Sequence, residues 1–322
     1  MPRRFLFIMD PVEHILPDKD TTFVFMLESL RRGHEIYSAL LPDLFLHHGK
    51  PHARARRVEV MRPTTAQTAH HRSMEERTEP LTWFDVVFMR KDPPFDMSYF
   101  FATHLLSLTD ARKTLVVNDP RGLREANEKL YALNFPSVVP PSLVTAQMQR
   151  LKAFMEELGG EMIVKPLDGC GGAGVFHVHR SDRNLNAILE SSTDNGRRLI
   201  MAQRYQPEIR QGDKRLIVLD GQPLGGVLRV PREDETRGNI HVGGTVLKTE
   251  VTKRDREICA ALEPRLKADG LYFVGLDIIG DWLTEVNVTS PTGIQEINAL
   301  DSVTLERPVI DFVEQRIAAL RA

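Results

Sequence analysis

The stretch from Phe273 to Val288 leaves this chain few ways to fold. It reads as two strands, Phe273 to Ile279 and Trp282 to Val288, turned back on each other at Gly280-Asp281. A strict two-residue turn would set Asp277 opposite Thr284 and Leu276 opposite Glu285, mixing charge into the apolar face. A three-residue loop, or one bulge, shifts the register by one. Val274, Leu276 and Ile278 then share a face with Val286 and Val288, while Asp277 faces Glu285 with Asn287 beside it. The apolar pattern favours this second register. Two carboxylates and an amide oxygen on one face are hard donors of the kind Mg²⁺ takes. Acids simply solvated on an exposed sheet are the alternative, and the apolar neighbours weigh against it.

A second constraint is Asp168-Gly169-Cys170-Gly171-Gly172-Ala173-Gly174. It matches the spacing of the dinucleotide fingerprint, but that motif must open a helix, and here Val175-Phe176-His177-Val178 alternates like a strand. With no Gly-Lys-Ser/Thr, a P-loop is excluded as well. What remains is a glycine hairpin whose backbone N–H groups can approach phosphate oxygens, or else an ordinary surface hairpin. Lys165, closing the apolar strand Met162 to Lys165, favours the first, because a lysine there needs an anionic partner. Lys129 could add a second cation, or be a solvated helix residue.

Around these features the first third alternates strand and helix. Strands are expected at Phe5–Met9, Ile36–Leu40, Val86–Met89 and Leu115–Val117, and helices at 20–32 and 99–108. Residues 49–80, polar and rich in arginine and histidine, read as a connection with at most one short strand. The turn cluster Asn118 to Gly122 suggests a boundary. Helices are then expected at Leu123–Leu133 and Thr145–Leu158. Short strands follow near 162–165, 175–178, 199–203, 216–219 and 226–230. The fold class is an α/β N-terminal domain followed by an α+β module, divided as 1–122, 123–203 and 204–322. With 322 residues, two cysteines and a formal charge of −2, the composition gives no case for a disulfide framework, a nucleic-acid partner or a membrane span. A cytoplasmic protein is expected. His47, His48 and His52, like His70-His71, read as solvated basic loops, and Cys170 as a tolerated loop residue.

Asn127-Glu128-Lys129-Leu130, Lys165-Pro166-Leu167-Asp168-Gly169, Gly212-Asp213-Lys214-Arg215, Glu235-Thr236-Arg237-Gly238-Asn239 and Val274 to Asn287 resemble the signature segments of the ATP-grasp superfamily. Within it, Arg90-Lys91-Asp92-Pro93-Pro94-Phe95-Asp96 and Thr284 to Gly293 resemble the bacterial glutathione synthetase family. The resemblance runs from Met9 to about Glu296. It implies a pre-ATP-grasp domain, a lid and a catalytic subdomain, and a ligase that joins γ-glutamylcysteine to glycine through an acyl phosphate, using ATP and Mg²⁺ (or Mn²⁺). It further implies roles residue by residue. Asp277, Glu285 and Asn287 would hold the metal. Lys129, Lys165, Gly169, Gly171, Gly172 and Asp213 would serve the nucleotide together with Asn287, and Gln203 and Tyr205 would border its base. Arg215, Arg237 and Lys165 would act in catalysis. Arg90, Arg229, Ser290 and Thr292 would hold the peptide. Residues 229–244 would form a closing flap, though His241 and Val242 before its paired glycines and Thr245 after them depart from the family's pattern. A homo-oligomer is expected by analogy. Another ATP-grasp ligase, told apart by the Arg90-to-Asp96 string, and a non-catalytic nucleotide binder lacking one of the two acids are the competing readings.

Overall fold

Phe5, Leu6, Phe7 and Ile8 are fully buried, as a strand covered on both faces requires. In the computed structural model, which describes residues 2–65, 68–169, 171–232 and 245–321, they lie in β1 (Arg4–Ile8). This strand pairs in parallel with β2 (Glu35–Ala39) across α1 (Thr21–Arg31), whose first turn is capped by Asp20 accepting from the Phe23 N–H at 2.7 Å. The sheet is extended by β3 (Leu44–His47), β4 (Lys50–Val60), β5 (His71–Pro80), β6 (Val86–Met89) and β7 (Leu115–Val117), with α2 (Met97–Leu106) between the last two. Its order is β3-β4-β2-β1-β6-β7, with β5 on β4.

The expected connection at 49–80 is therefore largely an antiparallel ribbon. Ala53, Ala55, Val58 and Val60 point inward along β4 while Arg54 and Arg56 point out. The outer row is matched in charge by Arg54–Asp43, Arg56–Glu76 and Arg57–Glu75 ion pairs. Small inward residues and long basic outward ones gave the alternation too little apolar contrast to be recognised.

The second sheet is antiparallel, in the order β10-β9-β11-β8. Its chain order is α3 (Pro120–Glu125), β8 (Ser142–Thr145), α4 (Met148–Glu157), β9 (Glu161–Pro166), β10 (Phe176–His179), α5 (Leu185–Ser192) and β11 (Ile200–Gln203). Leu151, Met155, Val164, Leu189 and Ile200 fill a core of its own. Two expected helices are shorter than anticipated. The one at 123–133 ends at Glu125, because the Asn127 carboxamide oxygen takes the N–H groups of Lys129 (3.2 Å) and Leu130 (3.0 Å), offering the backbone an alternative to the helical ladder. The one at 145–158 starts only at Met148, after Thr145 has paired in β8.

The third sheet runs β14-β13-β12-β15-β16, built from β12 (Asp213–Leu219), β13 (Gln222–Val230), β14 (Thr245–Lys248), β15 (Phe273–Ile279) and β16 (Trp282–Asn287), with α6 (Lys253–Ala268) between β14 and β15. After α7 (Ile294–Asp301), α8 (Glu306–Leu320) returns to α1, where Arg32 pairs with Asp311 and Glu314, each at 2.6 Å. Two apolar clusters span the first and third sheets. One joins Phe7, Phe25 and Phe88 to Phe273 and Val309, the other Leu6 and Tyr99 to Leu276 and Val286. Asn118 fastens the junction: its amide donates to the carbonyls of Phe273 (2.9 Å) and Val288 (3.1 Å) and accepts from the Phe273 N–H (2.8 Å).

Candidate active site

The acidic hairpin adopts the bulged register. Asp277 pairs with Glu285, Leu276 with Val286 and Gly275 with Asn287, and the slip lies between Asp277 and Ile278. Glu285 and Asn287, two apart on β16, share the face of Asp277.

On its other side Asp277 is paired with Arg215 of β12. Arg215 Nε and Nη2 lie 2.5 and 3.0 Å from its two carboxylate oxygens. Arg229 of β13 reaches Asp277 at 3.1 Å and Asp213, its cross-strand neighbour, at 2.5 Å. All four side chains are buried. Burial alone would raise the Asp277 carboxyl, but the charges of Arg215 and Arg229 outweigh it and hold the group below the usual carboxylate range. Asp213 is pushed up by burial, with Arg229 only partly opposing the rise. Its Oδ1 is buried without a hydrogen-bond partner among the described residues.

Glu285 turns the other way, toward two lysines. Lys165 Nζ, at the end of β9, lies 3.6 Å from its carboxylate and donates to the Thr284 carbonyl at 3.3 Å. Lys129 Nζ lies 3.7 Å from the same oxygen and donates to the Gly169 carbonyl at 2.6 Å. Burial depresses the Lys165 pKa, with Glu285 opposing the shift. The anionic partner anticipated for Lys165 is thus a carboxylate of the chain itself. Lys129 is neither helical nor solvated: its side chain is 4% exposed.

The glycine loop joins β9 to β10, as the sequence indicated. Gly171, Gly172 and Gly174 have φ of +62°, +81° and +72°, values that side-chain-bearing residues adopt only with strain. Cys170 lies outside the described residues. Beneath the loop opens a cavity of ≈ 870 Å³ between the second and third sheets. It is lined by Lys129, Lys165, Gly169, Gly171 and Gly172, by Gln203, Tyr205, Asp213, Arg215 and Arg229, and by Asp277, Glu285, Asn287, Ser290 and Thr292. Gln203 donates to Ser142 Oγ at 2.9 Å, and Tyr205 stacks on His177.

One of the expected site residues stands apart. Arg90 is buried behind the wall, donating to Thr22 Oγ1 and to the Pro291 carbonyl, each at 3.0 Å, so it supports the Ser290–Thr292 segment from behind. Arg237 lies outside the described residues, as do His241, Val242 and the rest of 233–244. Arg229, expected at the start of a flap, is locked into β13.

Glu128 and Asp20 are among the cavity-wall acids that were not anticipated as site residues. Glu128 lies 3.3 Å from Thr289 Oγ1, and burial, reinforced by the charge of Glu285, raises its pKa to about 7. Asp20, the cap of α1, also lines the cavity and is raised by burial. The only signal for Glu128 was its place between Asn127 and Lys129; Asp20, at the start of the expected helix 20–32, carried none.

The donor set suits a hard divalent cation. Glu285, Asn287 and Asp277 all line the cavity. Asp277 Oδ1 is taken by both Arg215 and Arg229, while its Oδ2 has one Arg215 contact. Both lysines meet Glu285 through the same oxygen, the Asn287 amide nitrogen donates to the Gly275 carbonyl, and the unpartnered Asp213 Oδ1 belongs to the same wall.

A sheet-backed cavity roofed by a glycine hairpin, with two lysines meeting an acid beneath it, belongs to an ATP-grasp ligase. Solved structures agree on the fold: the D-cycloserine synthetase DcsG superposes with a TM-score of 0.65 at 15% identity, covering 96% of this chain and 99% of that one. The ATP-grasp ligase PsnB, solved with a minimal precursor, Mg and ADP, gives 0.62 at 16% identity, with 98% of each chain covered. Residues 4–124 match the prokaryotic glutathione synthetase N-terminal domain and residues 128–302 its ATP-grasp domain. The glutathione synthetase of Gloeobacter violaceus is 49% identical over 96% of both chains, and that of Salmonella typhimurium 44% identical over 97% of this chain and 98% of its own. The chain belongs to the prokaryotic glutathione synthetase family, and it is an ATP-dependent ligase.

Proposed function

We propose that the chain ligates γ-glutamylcysteine to glycine, cleaving ATP to ADP and phosphate by way of an acyl phosphate. The observation that carries this reading is the meeting of Lys129, Lys165 and Glu285 within 4.0 Å contacts under the glycine loop. A carboxylate resists attack by an amine until its oxygen becomes a leaving group, and phosphorylation supplies one. The protein's share of the work is positioning and charge neutralisation.

Lys129, Lys165 and the N–H groups of Gly169, Gly171 and Gly172 take the phosphate oxygens, while Gln203 and Tyr205 border the base. Asp277, Glu285 and Asn287 are the donors for Mg²⁺, or for Mn²⁺, which accepts the same oxygens; Asp213 stands beside them. When bound, that ion offsets phosphate charge. Arg215, held by Asp277 and with its Nη1 3.4 Å from the Thr292 carbonyl, would offer N–H groups and positive charge to the transferring phosphoryl, and Arg237 would join it from the flap. Ser290 and Thr292 hold the peptide from a segment braced by Arg90, with Arg229 setting charge at the back of the site. Covering the acyl phosphate matters because water would hydrolyse it. The modules 1–122, 123–203 and 204–322 serve as peptide-binding domain, lid and catalytic subdomain.

Among the described residues no helix is long and apolar enough to cross a membrane. A cytoplasmic homo-oligomer working on small molecules, with neither nucleic acid nor membrane as partner, accords with the charge of −2 and two cysteines. The test is ADP release with γ-glutamylcysteine, with and without glycine, and the mass of the product. Release that requires both substrates and yields the tripeptide is expected. Strict dependence on another amine would make this a different ATP-grasp ligase.

A further inference from the structure

A second group of ligand-bearing side chains stands on the lid. In the β9–β10 ribbon Glu161 is opposite His179, and Ile163 opposite His177. Side chains alternate along a strand, so Glu161 falls on the same face as Ile163 and Lys165, which line the cavity, and His177 and His179 continue that face from Val175. Their potential ligand atoms all lie within 4.8 Å of one another. Glu161 Oε2 is 2.8 Å from His177 Nε2 and 3.6 Å from His179 Nε2.

An ordinary His–Glu hydrogen bond accounts for His177 and Glu161. It does not account for His179, whose ring centroid is 4.5 Å from that of His177 while its own Nε2 turns to the same carboxylate oxygen. Two imidazoles and a carboxylate around one point form the three-ligand set of a transition-metal site, with a further position open to solvent. Imidazole suits Zn²⁺, Cu²⁺ or Ni²⁺ far better than Mg²⁺. The surroundings supply that opening: the Glu161 and His179 side chains are 41% and 52% exposed, while His177 is 17% exposed. His177 is also oriented by a neighbour, for its ring stacks on Tyr205 with centroids 3.8 Å apart and planes 17° from parallel. Among the described residues no other trio of His, Cys, Asp or Glu side chains brings its ligand atoms this close. That includes His47, His48 and His52, whose rings adjoin in the β3–β4 hairpin.

We propose that Glu161, His177 and His179 bind a divalent transition metal of the Zn²⁺ class at the rim of the nucleotide cavity, separately from the Mg²⁺ donors Asp277, Glu285 and Asn287. The ion would cross-link β9 to β10, the two arms of the glycine loop. It would also fix the imidazole against which Tyr205 rests.

The test is calorimetric titration of the full chain with Zn²⁺, in excess Mg²⁺ and without nucleotide, with the fold of each variant checked by circular dichroism. The parent should bind one ion that is weakened roughly tenfold or more in His179→Ala and in Glu161→Gln, a loss that even an outer-sphere partner of a metal can cause. Glu285→Gln, and His47→Ala combined with His48→Ala, should leave the affinity unchanged. Because His179 and Glu161 lie at the surface, at least one of their variants will fold. Absence of Zn²⁺ binding in the parent, full binding in both lid variants, or loss of binding in Glu285→Gln or in the His47/His48 pair would each overturn the assignment.

Discussion

Arg215 and Asp277, 62 residues apart in sequence, meet across β12 and β15 in a two-point contact of 2.5 and 3.0 Å, buried at the back of the cavity. The planar guanidinium fits both carboxylate oxygens, and an ammonium could not reproduce the match.

Removing one partner strands the other. Asp277→Asn leaves Arg215 and Arg229 without their shared counter-charge, and is expected to cost about 3–5 kcal/mol of folding stability, read by urea denaturation near neutral pH. In the parent the folded-state pKa of Asp277 is depressed, so its contribution is present above the unfolded carboxyl value near 3.8 and fades as pH falls below it. The gap between parent and variant should therefore shrink in acid. A gap that stays constant down to low pH would show that the charge of Asp277 is not what stabilises the fold.

Glu285→Gln removes the acid that Lys129 and Lys165 share and one of the proposed metal donors. Turnover at saturating substrates should fall on the order of 10²-fold, the scale seen when one preorganised electrostatic group is lost. The magnesium concentration for half-maximal rate should rise as well. Full turnover at limiting magnesium would remove Glu285 from the metal site.

Glu128 gives a pH signature of the opposite sign. Burial pushes its folded pKa up to about 7, above the ordinary glutamate value of 4.5. The folded state therefore holds a proton that the unfolded chain has released between those values, and stability drops as pH rises through that window. Glu128→Gln abolishes this drop, so the variant should gain on the parent by about 1–3 kcal/mol between pH 5 and pH 8, measured by paired denaturation curves. Equal curves at both pH values would mean that Glu128 titrates normally.

Gly275 lies directly under the arginine. A Cβ there would stand 2.9 Å from Pro291 Cβ and 3.1 Å from Arg215 Cδ. Gly275→Ala should destabilise the chain by about 1–3 kcal/mol, as overpacking does, and should lower kcat more than it raises KM for ATP. Unchanged kinetics would mean that Arg215 has freedom that the packing does not suggest.

How much of this was legible beforehand depended on the range of the interaction. The Asp277–Glu285 register could be read because only one alignment kept Leu276 and Val286 on the apolar face. The glycine loop could be placed because Val175 to Val178 alternates instead of opening a helix. The β4–β5 ribbon escaped because alanines mark its inner row and arginines its outer one. The Arg215–Asp277 and Lys165–Glu285 contacts join residues 62 and 120 positions apart, and no local period carries them. Arg90 shows the same limit: only the family resemblance gave it a role, and its buried contacts with Thr22 and the Pro291 carbonyl lie 68 and 201 positions away.

The second sheet keeps its own apolar core, whereas the first and third share theirs. Tilting that sheet away from the rest would thus leave every oil-filled interior intact. What would part is a short row of polar ties: Asn127 to the Leu167 carbonyl, Lys129 to that of Gly169, and Lys165 to Thr284 and Glu285. Water can replace such ties at small cost, and so can a phosphate chain, so the seam between the second and third sheets is held by contacts that a charged ligand could itself take over.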